Sequence, residues 1–97
     1  MSGSTRSSHG LDPRRRRALF RAWHRGMREV DLILGRFADA HIESLSEHDL
    51  AGFEALMEVP DDELYTWIVG RVPAVREFRT SVFDSIVAFH AKDQLQG

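Results

Sequence analysis

Met27, Val30, Leu34, Phe37 and His41, joined by Ile33 and Ala38, recur at the three- and four-residue spacing of an amphipathic helix. That pattern predicts a helix ending near Ile42–Glu43. Upstream, Asp12-Pro13 offers an N-cap followed by proline at the first helical position, where its missing N–H costs nothing. A helix from Pro13 to about Arg25 then places Leu19, Ala22 and Trp23 on one face, and Gly26 stops or bends it. Ser46-Glu47-His48-Asp49 resembles a capping box with Asp in place of Glu, opening a third helix that buries Leu50, Phe53, Leu56 and Met57. Pro60 breaks that helix. Asp61 caps a short fourth one bearing Leu64, Trp67 and Ile68, and Gly70 terminates it. Pro73 starts a fifth, with Val75, Phe78, Val82, Ile86 and Phe89 in register down to about Lys92. No segment alternates with period two and no repeat is present. The pattern predicts an all-α, compact five-helix bundle over residues 12–92, a disordered tail over 1–11 and a short tail over 93–97.

Composition narrows the class. Ninety-seven residues, 42% of them hydrophobic, suit one small domain. The absence of cysteine removes disulfides, thiol nucleophiles, iron–sulfur clusters and cysteine-based zinc sites. No apolar run approaches the roughly 18–20 residues of a membrane span, and the N-terminal arginines precede no apolar stretch of a secretory signal. The expectation is a cytoplasmic protein with no membrane insertion. The formal charge of −2 hides a strong asymmetry. Residues 1–28 carry eight arginines against Asp12, a net +7, while residues 29–97 carry five cations against fourteen acids, a net −9. Such a split fits a nucleic-acid arm on an acidic body or a two-faced protein-binding module.

Candidate chemistry is sparse. Of the five histidines, His9 lies in the tail, His48 in the first turn of an exposed helix, and His41 on the apolar stripe of the second helix. No H-E-x-x-H pair, G-x-G-x-x-G loop or Walker sequence occurs, so neither a metal site nor a catalytic residue is expected and the chain reads as a non-enzyme. Arg14-Arg15-Arg16-Arg17 is the candidate phosphate-binding stripe. Against it, residues 29–63 hold eleven acids and only Arg36, a field that repels a polyanion, and no basic recognition helix is present. No nucleic-acid partner is expected.

The sharpest local feature is His24-Arg25-Gly26-Met27-Arg28-Glu29. As a helix junction it is unremarkable: Arg25 suits a helix end, Gly26 a turn and Glu29 a first turn. With Val30 at 0° and about 100° per residue, the core positions Ile33, Leu34, Phe37 and His41 cluster near 0°. If the helix is continuous through the junction, Arg25, Glu29, Leu32 and Arg36 fall near 200–260° at about 100° per residue, a charged face with one apolar spot beside a glycine. Such a face suits protein recognition, with Arg25 and Glu29 exposed as charge-assisted anchors.

At these residues the chain resembles the SdhE/Sdh5 family of succinate dehydrogenase assembly factors, whose Arg-Gly-x-x-Glu signature stands here as Arg25-Gly26-Met27-Arg28-Glu29. It continues into Val30-Asp31-Leu32-Ile33-Leu34. Leu45-Ser46-Glu47, Phe53-Glu54-Ala55-Leu56-Met57-Glu58 and Pro60-Asp61-Asp62-Glu63-Leu64-Tyr65-Thr66-Trp67 follow in the family's order and spacing, so that the resemblance covers about residues 14–90. His24 departs from an arginine common before the motif, and the Ser/Gly/Arg tail is not a family feature. The resemblance implies a helical assembly factor that binds the flavoprotein subunit of succinate dehydrogenase, in some bacteria fumarate reductase, and promotes covalent attachment of FAD. It implies that FAD belongs to the partner and is not bound by this chain alone, and that the free protein is a monomer. The partner-binding residues it points to are Arg25, Gly26 and Glu29, with Arg28, Asp31, Leu32 and Arg36 beside them. An antitoxin-like regulatory interaction module is the alternative reading.

Overall fold

The computed structural model describes residues 10–96. Among them five α-helices form an all-α bundle without strands: α1 Pro13–Trp23, α2 Arg28–His41, α3 Glu47–Leu56, α4 Asp61–Ile68 and α5 Ser81–Gln96. The local signals explain most boundaries. Proline opens α1, preceded by Asp12 in extended conformation. Ser46 Oγ accepts from the Asp49 backbone N–H at 3.0 Å and caps α3. Asp61, Asp62 and Glu63 fill the first turn of α4, where carboxylates oppose the positive end of the helix dipole. Gly70, at φ +84°, ends the run after α4 in a conformation that favours glycine.

α2 is the central element and packs against α1, α4 and α5. It buries Val30, Ile33, Leu34, Phe37 and Ala38, the set its spacing predicts. Phe37 meets Phe53 of α3 and Phe89 of α5, with ring centroids 5.8 Å apart in each pair. His41 closes this aromatic cluster, half-buried, 4.9 Å from Phe37 and 5.5 Å from Phe89. Gly35 is buried for a different reason. A Cβ built there would come within 2.3 Å of the Trp23 indole, so α1 seats its tryptophan on a bare stretch of α2. The indole N–H then donates to Asp39, one turn further along α2, at 3.2 Å.

Three expectations change. The fifth helix begins at Ser81 rather than Pro73. Residues 70–80 instead form a loop with a single 3₁₀ turn, Arg76–Phe78. In it Arg79 Nε donates to the Ala74 carbonyl at 2.8 Å, and the hydroxyl of Thr80 accepts from the Phe83 N–H at 3.3 Å, capping α5. Phe78 still contributes to packing, 5.6 Å from Trp67, whereas Val75 is exposed. A proline that suits a first helical turn suits an extended loop equally well. At the other end α5 runs through Lys92 to Gln96, so residues 93–96 are helix and not tail. Leu11 is buried against the core and therefore does not belong to a tail either. The remainder of the expected tail, residues 1–9, lies outside the described residues, as does residue 97.

The arginine run is largely structural. Arg14 grips Glu54 of α3 through Nε and Nη2, at 2.8 Å for the closest pair, and reaches Glu47 at 2.8 Å. Arg15 donates to the carbonyls of Ile42 and Leu45 in the α2–α3 link. Arg21 meets Glu58 at 2.6 Å. Arg16 and Arg17 face solvent.

Candidate functional site

The junction between α1 and α2 is a break, not a continuous helix. Residues 24–27 leave the helical path, and Gly26 sits at φ +111°. A Cβ on Gly26 would meet only Asp61 Oδ2, at 3.8 Å, so space is available and the constraint is the backbone angle. Substitution there is strained whatever the side chain.

The break redirects Arg25, which the sequence reading places as an exposed anchor on the α2 face. Its side chain is only 11% exposed. Nε donates to Asp61 Oδ1 at 2.7 Å, Nη2 to the Val59 carbonyl at 2.8 Å and Nη1 to the Met57 carbonyl. The backbone N–H of Arg25 donates to Asp31 Oδ1 at 2.6 Å. The guanidinium fork thereby satisfies the carbonyls of Met57, the C-cap of α3, and of Val59 in the α3–α4 link, and ties them to the first residue of α4. Arg25 is an internal clamp. Asp31 is likewise structural, since it holds the backbone of Arg25.

The other expected residues separate into two groups. Arg28 and Glu29 are exposed, and among the described residues neither side chain makes a hydrogen bond or ion pair. Leu32 is half-buried at the edge of the core, and Arg36, though exposed, pairs with Asp93 of α5 at 2.8 Å. Glu29, Leu32 and Arg36 line one wall of a pocket of about 320 Å³. Tyr65 of α4 and Val69, its C-cap, form the opposite wall, and His90 and Asp93 of α5 close it. Asp61, Tyr65 and Val69 follow one another at four-residue spacing, so the face of α4 that begins at the Arg25 clamp continues along the pocket. On the far side of the junction Phe20, 63% exposed, stacks on His24 with ring centroids 4.0 Å apart.

Sequence reasoning missed Asp61, Tyr65, His90 and Asp93 as members of this region. Asp61 reads locally as a helix cap, and nothing periodic links it to Arg25, 36 residues earlier. Arg36 likewise pairs with Asp93, 57 residues later, although acids such as Asp39 lie within one turn of it, so no sequence signal singles out its partner. Asp93 was hidden by an assumed helix end.

Among the described residues no group of three or more His, Asp or Glu side chains could hold a metal ion. Among the described residues no helix is long and apolar enough to cross a membrane. The pocket does not fit FAD, because Glu29 and Asp93 in its lining repel a pyrophosphate and no glycine-rich loop stands by to cradle one.

Comparison with known proteins places this architecture. A sequence model described as the flavinator of succinate dehydrogenase matches residues 16–90. The chain is 37% identical over 86 residues to the FAD assembly factor SdhE of Acetobacter pasteurianus, covering 89% of this chain and 79% of that protein. It is 36% identical over 67 residues to the FAD assembly factor SdhE of Vibrio vulnificus, covering 69% and 78%. With the mitochondrial succinate dehydrogenase assembly factor 2 of Dictyostelium discoideum it shares 33% identity over 87 residues, 90% of this chain but only 61% of that longer protein. No solved structure matches significantly. A family match spanning most of the helical body, together with relatives covered over more than two thirds of their length, shows that the chain belongs to the family of succinate dehydrogenase flavinators.

Proposed function

We propose that this chain is an assembly factor that binds the flavoprotein subunit of succinate dehydrogenase and promotes covalent attachment of FAD to it. The observation that carries the reading is the contrast within one motif. Arg25 spends its donors inside the fold and fixes the junction, while Arg28 and Glu29 stand unpaired beside an exposed Gly26. Charges held on a rigid support and left without internal partners are what a recognition surface requires. The partner-binding residues are then Gly26, Arg28 and Glu29, extended by Leu32 and Arg36. Arg25 and Asp31 act as positioning residues.

The chain supplies no reacting group and acts by holding the flavoprotein in one arrangement, a positioning effect. FAD is the partner's group throughout. The protein works as a cytoplasmic monomer, and the flavoprotein of fumarate reductase is a second client in cells that possess one. Co-expression of the flavoprotein subunit with wild-type or Glu29→Ala protein, followed by in-gel fluorescence of covalent flavin, tests the reading. The signal should depend on the wild-type chain and fall sharply with a variant whose thermal midpoint is unchanged. Equal fluorescence with the wild-type chain present or absent would sink the proposal.

A further inference from the structure

The pocket between α2, α4 and α5 has a chemistry that the junction alone does not explain. It is small, near the lower end of the roughly 300–1,000 Å³ of ligand pockets, and suits one long side chain better than a peptide segment. Its walls include Leu32 and Val69, which offer apolar contact, and Tyr65, whose ring already carries the Arg71 guanidinium 5.9 Å from its centroid. Its ionisable groups besides Tyr65 are Glu29, Asp93, Arg36 and His90, and Arg36 is engaged by Asp93. Glu29 is the one charged group in the lining without a partner among the described residues. The site therefore favours a cation with an apolar stem.

We infer that this pocket receives an arginine side chain of the flavoprotein partner. This inference rests on the proposed function and names how the motif glutamate takes part in it. The arginine's methylene stem covers Leu32 and Val69, its plane lies against Tyr65, and its guanidinium meets the free carboxylate of Glu29. Lysine fits less well, because it lacks the planar fork that both the carboxylate and the aromatic ring reward. The Arg25–Asp61 clamp sets the distance between the α2 and α4 walls, which links the two charged residues of the motif to a single purpose.

Two measurements on the full chain test this. In the first, N-acetyl-arginine amide is titrated into ¹⁵N-labelled protein, with the neutral isostere N-acetyl-citrulline amide as control. Saturable shifts should localise to the amides around Glu29, Leu32, Tyr65, Val69 and Asp93 with the arginine probe alone, and Glu29→Gln should remove them. Shifts that are scattered, absent or equal for both probes overturn the assignment. In the second, Kd for the flavoprotein subunit is measured by calorimetry for wild type, Glu29→Gln and Val69→Trp, the last filling the pocket without changing its charge. Each variant should weaken binding at least about tenfold, and Glu29→Gln should flatten the salt dependence. Wild-type affinity in both folded variants overturns the pocket while leaving the assembly function standing. Localised arginine shifts in a protein that fails to bind the flavoprotein at all would instead overturn the function and keep the pocket's preference.

Discussion

Replacing Arg25 with alanine tests whether the first charge of the signature belongs to the fold. The side chain and its partner Asp61 are 11% and 19% exposed, so solvent screens the pair only in part. Truncation leaves one carboxylate and two carbonyls without their donors. Breaking a fully buried pair costs about 3–5 kcal/mol, and hydrogen bonds to charged groups contribute about 1.5–3 kcal/mol each, without adding linearly. Allowing for partial exposure, the loss should be about 2–4 kcal/mol. For a domain of this size each kcal/mol corresponds to about 4–8 °C, so the midpoint should fall by at least about 8 °C. Urea unfolding followed by circular dichroism reads this directly, and the slope should be unchanged. Arg25→Lys should recover only part of the loss, because an ammonium cannot reach three acceptors at once. A double-mutant cycle with Asp61→Asn should show coupling above about 0.5 kcal/mol. A loss below about 1 kcal/mol, the worth of an exposed ion pair, would refute the clamp. Arg25 would then have to be treated like Glu29, as a surface residue.

Gly35→Ala should destabilise by at least about 1–3 kcal/mol, since the new methyl collides with a buried indole; a Trp23→Phe background should relieve part of the cost in the same thermal melts. Trp67→Ala, at a residue 6% exposed, should cost roughly 3–5 kcal/mol in urea unfolding, enough to unfold much of the population. Arg14 donates hydrogen bonds to Glu54 and holds its carboxyl below the usual range. Its contribution is therefore present at neutral pH and disappears as pH falls below the ordinary carboxylate range through the lowered value. Glu54→Gln should lower the midpoint at pH 7, and the gap to wild type should shrink on acidification.

The helices that were legible in the sequence are those whose ends carry local chemistry. Asp12-Pro13, Ser46 with Asp49, and Pro60 before three acids each state a boundary within four residues, and α2 declares its buried face by spacing alone. The start of α5 is obscured by local chemistry that imitates a helix: Pro73 with Val75 and Phe78 mimics a first turn, while the real cap is the hydroxyl of Thr80. The site was legible as a motif and not as a geometry. Gly26 marks a turn, but only the positive φ it adopts breaks the helical phase that put Arg25 beside Glu29. Long-range partners such as Asp61 and Asp93 leave no periodic trace.

The division of charge between the two ends of the chain has a consequence for how the molecule is made. Arg14 pairs with Glu54, Arg21 with Glu58 and Arg25 with Asp61, ascending together across separations of 40, 37 and 36 residues. The apolar face of α1 decides that it lies on α2, and this can happen as soon as both are synthesised. Trp23 on Gly35, with its bond to Asp39, sets the axial register on α2, and acids that arrive some forty residues later lock α1 to the second half of the chain. During vectorial synthesis α1 therefore lies on α2 with its arginines unmatched until the segment from α3 to the start of α4 emerges, and a slip of one helical turn would misplace the Arg14 and Arg21 pairs together. Growth at high salt would weaken this timing mechanism while leaving the apolar core untouched.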